Sequence, residues 1–249
     1  MDMHADTGRE FWCEVLGAGG LTTIPRWTTE PAPGSAEHMA RVPDEVAQGL
    51  RRLAEELGVP VTSLVLAAHA YVLAVLSGED EAVTGFVPAP GAPALPHRVA
   101  TDVPSWRALV RDTHDAVTRI VEYRDFPVED LRRRMAIAGP VTEAEFDPHG
   151  DGGDVGGGRV LRVSVVEGVG GDVVLRLRYR TDALDGEAAG RIAGYHLAAL
   201  GQIVAGPDTV PASVVSDQEV GFQVEGLAGR RRELPGLRVH ELFEERVRM

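Results

Sequence analysis

His69 stands in the middle of an apolar stretch, where an imidazole serves either as a catalytic base or as a packed core residue. No acidic residue lies a helical turn away to orient it, so the sequence reads as a partly buried histidine bonded to backbone. His114 and Asp115 adjoin on a predicted helix, face different directions and form no dyad. Asp147, His149, Asp151 and Asp154 look faintly like a calcium loop. That loop type needs alternating oxygen ligands, a closing bidentate Glu and two flanking helices, and this stretch has neither the Glu nor the helices, so it reads as a surface loop. The glycines of residues 152–158 do not follow a strand and are a poor phosphate cradle. The serines sit in no G-x-S-x-G turn. Cys13, the single cysteine, lies among aromatics and reads as packed; it rules out an intrachain disulfide and a zinc–thiolate cluster. The sequence therefore nominates no catalytic, cofactor-binding or metal-ligating residue.

Composition narrows the partners. The chain carries 38 acidic against 25 basic residues, a formal charge of −13, and every basic residue is Arg. Nucleic-acid binding needs a basic footprint and an anionic membrane needs a basic face, so neither partner is expected. Arg230, Arg231 and Arg232 form a short basic run that reads either as a solvated linker or as a contact for an acidic carrier-protein or adenylation-domain surface. The first ten residues lack a basic region followed by an apolar core and are not a signal peptide. Residues 59–76 form the longest apolar run, broken by Thr62, Ser63 and His69, and predict a buried helix rather than a membrane span. These features place the protein in the cytosol.

The elements that must carry these residues follow from spacing. Phe11, Trp12, Val15 and Leu16 have helical spacing, ending at a Gly17–Gly20 run. A short strand is predicted over 37–42 and a helix over 44–57, with apolar residues at Val46, Leu50, Leu53, Ala54 and Leu57 and a stop at Gly58. A second helix starts near Thr62 or Ser63, either of which can cap it, and runs to about 76. Strands are predicted over 81–87 and 95–101, separated by a proline-rich loop. Pro104 is placed in the first turn of a helix to 122, and Pro127 opens a shorter helix to 134. Residues 138–158 read as a glycine-rich mobile loop. A hairpin over 160–166 and 172–179, a helix over 185–204, a linker-like tail and a last amphipathic helix over 239–247 complete the reading. The class is α+β, one mixed sheet covered by helices.

Six strings in order resemble condensation domains of nonribosomal peptide synthetases. Glu10-Phe11-Trp12 through Leu16-Gly17 is similar to the family's mid-domain "YW…L" segment. Val42-Pro43 through Val59 and then Leu64 to Leu76 resemble its helix pair, and Ser77 to Gly85 its "sGqdDvvvG" turn and strand. Glu122 to Leu131 resembles "aHqdlPFerL", and Tyr179 to Asp185 "YntdlFd". Leu237-Arg238-Val239-His240-Glu241-Leu242-Phe243-Glu244 resembles the opening of the adenylation domain that follows in such proteins.

The resemblance implies a chloramphenicol-acetyltransferase-like half-domain, the C-terminal of two halves that flank an active site. Catalysis in the family rests on an HHxxxDG motif in the other half, and this sequence has no such motif and no adjacent histidines. The loop between Gly85 and Arg98 is short for the family, and the strand and crossover expected between Leu131 and Val160 read here as the glycine-rich loop. The expected organisation is a truncated condensation-like domain over 1–207, a linker over 208–236 and the start of an adenylation domain over 237–249. The chain breaks off inside that last helix, which reads as a boundary within a longer protein. The expected role is a non-catalytic structural platform for the adenylation domain of the same chain, in peptide natural-product biosynthesis, with Arg230, Arg231, Arg232, Leu237, His240, Leu242 and Phe243 at the interface and no cofactor. Two alternatives stand beside it: a module that pairs with a carrier protein or a second half-domain, and an acyltransferase completed by a partner that supplies the HHxxxDG half.

Overall fold

Gly58 and Pro60 turn the chain sharply between two consecutive helices. The computed structural model describes residues 3–139, 141–150, 153, 155, 158–167, 172–221, 224–225 and 238–247. Helix α1 spans Met3–Gly17 and strand β1 Ser35–Arg41, ahead of helix α2, Asp44–Leu57, and helix α3, Val61–Ser77. Gly58 adopts φ +67°, which only glycine tolerates freely; its N–H donates to the Glu55 carbonyl at 3.2 Å and that of Val59 to Ala54 at 3.0 Å. Pro60 then starts α3 at 108° to α2. No side chain caps α3: Ser63, expected as a cap, points its hydroxyl elsewhere. α3 is buried along almost its whole length, as its apolar surround predicts. Among the described residues no single helix is long and apolar enough to cross a membrane.

The strands are β2 (Glu81–Phe86), β3 (Leu95–Ala100), β4 (Ala144–Asp147), β5 (Leu161–Glu167) and β6 (Val173–Arg180). They form one six-stranded sheet in the order β1-β6-β5-β4-β2-β3. β4 runs parallel to both neighbours, with Phe146 opposite Phe86 and Val163; every other pair is antiparallel. This corrects the reading of residues 138–158 as a loop. All four residues of β4 are buried in mid-sheet, so part of the segment that seemed lost is a central strand. Its acidic residues conceal it. Glu145 survives burial because Arg159 meets it at 2.7 Å and Arg162 pairs with its other oxygen.

Helices α4 (Trp106–Glu122), α5 (Val128–Arg134) and α6 (Gly186–Ala205) follow the pattern of the sequence, but the start of α4 differs. Ser105 is its cap, accepting from the Ala108 amide at 3.2 Å, and Pro104 lies outside the helix. Asp185 caps α6 in the same way, at 2.8 Å from the Ala188 amide. α3, α4 and α6 pack on the sheet, where Leu175, Leu177 and Tyr179 of β6 are buried, and α2 packs on α3 and α6. The alternate residues Arg176 and Arg178 lie on the other face and donate to the carbonyls of Gly150 and Gly153, joined by Arg162.

The chain divides into two compact units, Met1–Val214 and Val215–Met249. The stretch from Asp208 to Val214 belongs with the first: Arg107 pairs with Asp208 at 2.7 Å, and Gln202 bonds the backbone of Ala212 and Ser213. In the second unit, helices α7 (Asp217–Gly221) and α8 (Val239–Val247) are described.

Candidate functional site

The polar centre of the first unit forms where α3, α6, β2 and β4 meet. α3 delivers His69, α6 delivers His196, and β2 delivers Thr84, each fully buried. His69 Nδ1 lies 3.1 Å from His196 Nε2, and His69 Nε2 lies 3.2 Å from Thr84 Oγ1. The two imidazoles stack at 5.4 Å and 21°, and Phe146 of β4 closes the other side of His69 at 5.7 Å. His196 Nδ1 is 2.7 Å from the Ile192 carbonyl one turn back on its own helix.

These contacts fix the protons. A carbonyl only accepts, so His196 Nδ1 carries hydrogen and Nε2 is bare. The bare nitrogen accepts from His69 Nδ1–H, which leaves His69 Nε2 to accept the Thr84 hydroxyl. The sequence reading of His69 is corrected: it is wholly buried and bonded to two side chains, and its partner, not itself, reaches the backbone. Burial, then the neighbouring His196 and His97, holds the His69 pKa well below the usual histidine value. His196 is lowered by burial to about 4, partly opposed by its bond to Ile192.

A hydroxyl on an imidazole that is held by a second group is the arrangement that activates a nucleophile. Here every member is closed to solvent, and no substrate can touch Thr84 without the core opening. The relay orders the core. His97 of β3 is also fully buried, and burial lowers it to about 4 against a weaker opposing effect of the Thr113 backbone. Sequence reasoning missed His196 and Thr84. His196 gave the same signal as His69, an imidazole within an apolar helix, but His69 and His196 are 127 residues apart.

The remaining expected groups lie elsewhere. His114 faces away from Asp115 and meets Ser63 Oγ at 3.1 Å across α3 and α4. Asp147 ends β4, buried, and its Oδ1 accepts the His149 amide at 3.0 Å. Asp151 and Asp154 lie outside the described residues. Among the described residues no group of three or more His, Cys, Asp or Glu side chains could hold a metal. Glu143 is clasped by Arg26 at 2.7 Å and by the Ile24 amide at 2.9 Å, which holds its pKa below the usual carboxylate value. Of the expected interface, Arg230, Arg231, Arg232 and Leu237 lie outside the described residues. His240, Leu242 and Phe243 fall on α8, with Phe243 72% exposed.

No family model matches the sequence. Among curated proteins, the AMB antimetabolite synthetase AmbE of Pseudomonas aeruginosa is 32% identical over 131 residues, 51% of this chain and 6% of AmbE. A four-domain nonribosomal peptide synthetase bound to AMP and glycine superposes with a TM-score of 0.74 at 16% identity, over 100% of this chain and 23% of that one. The X-domain from teicoplanin biosynthesis, solved in complex with OxyB, gives 0.70 at 18% identity, over 86% of this chain and 56% of that one. The first condensation domain of the calcium-dependent antibiotic synthetase gives 0.62 at 19%, over 86% and 53%. The chain thus spans little more than half of the single-domain structures it matches and a small part of AmbE. The six-stranded mixed sheet and its helical cover are the condensation-domain fold, chloramphenicol-acetyltransferase-like in architecture.

Proposed function

We propose that this chain is a non-catalytic condensation-like half-domain of a nonribosomal peptide synthetase, the C-terminal half of that fold, acting in the cytosol as a packing platform for an adenylation domain later in the same chain. One observation carries the reading. The match to the four-domain synthetase covers 100% of this chain, where the single-domain structures cover 82–86%. The resemblance of residues 237–244 to an adenylation-domain opening agrees with it. The closed histidine relay supports the non-catalytic part: its hydroxyl and imidazoles order the core and meet no substrate. The role calls for no cofactor or metal, and the product class is a peptide natural product.

The test compares the longer protein, carrying this chain with its adenylation segment, with a version lacking the residues before Pro235. Soluble yield should fall several-fold, and amino-acid-dependent pyrophosphate exchange should fall with it. Unchanged yield and exchange sink the proposal. A condensation assay with loaded carrier proteins should give no product from this chain; product would establish catalysis.

A partner-binding module is the second reading, favoured by the neighbouring X-domain solved in complex with OxyB. Light scattering on the purified chain separates a self-paired form from a monomer.

A further inference from the structure

Outside the relay, α1 and α5 frame a hollow of about 270 Å³. Gly8 lets α1 settle closely onto its neighbours: a Cβ there would meet the Tyr123 ring at 3.1 Å and Phe126 at 3.5 Å. One turn on, the buried Trp12 donates from Nε1 to the Tyr123 carbonyl at 3.1 Å and fixes the helix in place. Arg9 and Cys13 are four residues apart and share one face of α1, while Leu131 and Arg134 share one face of α5 and Met135 follows directly after that helix. The two faces leave the hollow between them, lined by Leu131, Phe126 and Met135 and rimmed by the guanidiniums of Arg9 and Arg134 and the carboxylate of Asp130.

The charges on this rim are unevenly satisfied. Asp130 pairs with Arg133 and Glu129 with Arg132, at the same helix. Arg9 and Arg134 have no hydrogen bond or ion pair among the described residues. An apolar lining beside two unpaired guanidiniums complements a ligand with an aliphatic body and an anionic head. Arginine is the side chain suited to such a head, because its fork of donors matches a carboxylate. At the ~30 Å³ a water molecule occupies in the liquid, the hollow holds roughly nine non-hydrogen atoms.

From this we propose that the α1–α5 hollow binds a medium-chain aliphatic carboxylate, with its chain against Leu131, Phe126 and Met135 and its carboxylate between Arg9 and Arg134. The site is independent of the platform role and of the histidine relay. It carries its own reporter, because Cys13 lines it and is the single cysteine of the chain.

The experiment measures alkylation of Cys13 by iodoacetamide on the full chain, followed by intact mass, with octanoate as the probe. Octanoate should slow the reaction at least fivefold and saturably, with half-protection near a millimolar level, about what ten ligand atoms supply. Octanol, which has the chain without the charge, and acetate, which has the charge without the chain, should protect little at the same concentrations. The exposed pair Arg9→Gln and Arg134→Gln should weaken octanoate protection by about fivefold for each arginine, the scale of solvent-facing ion pairs. The variant's circular dichroism and melting should match the parent. No saturable protection, equal protection by octanol, or protection that survives the double variant would each overturn the proposal.

Discussion

A hydroxyl, two imidazoles and a peptide carbonyl in line leave one proton order open, running from Thr84 through His69 and His196 to Ile192. The consequence is an asymmetry between removing one member and removing both. His196→Leu strands the His69 Nδ1–H in a dry core and should cost about 2–4 kcal/mol, the price of an unmet buried donor together with imperfect packing. Replacing His69 as well removes that donor, so the double variant His69→Leu with His196→Leu should be less destabilised than the sum of the two single changes. Urea unfolding of the four proteins measures the coupling directly. Additive losses would mean that the imidazoles contribute through volume alone. Glu145 is a second such residue, tolerable in mid-sheet because Arg159 and Arg162 hold it.

At the scale of elements, α2 crosses α6 through Gly49. A Cβ there would overlap the Val204 side chain, which is β-branched and stiff at χ1 within a helix. Gly49→Ala should therefore destabilise by about 1–3 kcal/mol although alanine is the better helix former. Val204→Ala in the same chain should restore much of the loss, and the melting temperatures of the pair decide it.

The elements also show what the sequence made legible. α2 and its Gly58 stop were readable because apolar spacing and a left-handed terminus are local properties. The β5–β6 pairing was readable from alternation. β4 was hidden because two of its four residues are acidic and its neighbours on both sides are rich in glycine and polar residues. Its burial depends on Arg159, Arg162 and the strands it inserts between, none of which a local pattern records. The histidine relay was illegible for the same reason, since Thr84, His69 and His196 meet through sheet register and helix packing.

The molecule as a whole should be acid-sensitive in a defined window. His97 and His196 titrate near 4 in the fold against 6.5 when unfolded, and His69 is lowered as well. The unfolded chain therefore binds more protons between pH 6.5 and about 4, so the stability that His97 and His196 contribute falls as pH falls through that window and levels below it. His97 and His196 each remove on the order of 3 kcal/mol by the lower end, against a total of roughly 5–15 kcal/mol for a domain. Paired carboxylates such as Glu143 act with the same sign but lower, since their contribution is lost only as pH drops through the carboxylate range. Fluorescence of the buried Trp12 and Trp106 should report unfolding above pH 4, and His97→Leu should move that transition to lower pH. An unmoved transition would place the sensitivity in the carboxylates instead.

The sheet ends on β1 at one side and β3 at the other. Pro96, opposite Gly85, sits within β3, so that strand offers one backbone donor fewer than its length would supply. β1 carries Glu37 and Arg41 on its exposed alternate positions, on either side of the exposed Met39. Both borders are therefore poor templates for recruiting another chain, a proline gap on one and opposed charges on the other. The two borders of the described sheet work against edge-to-edge growth, and concentrated stocks should keep their strands to themselves.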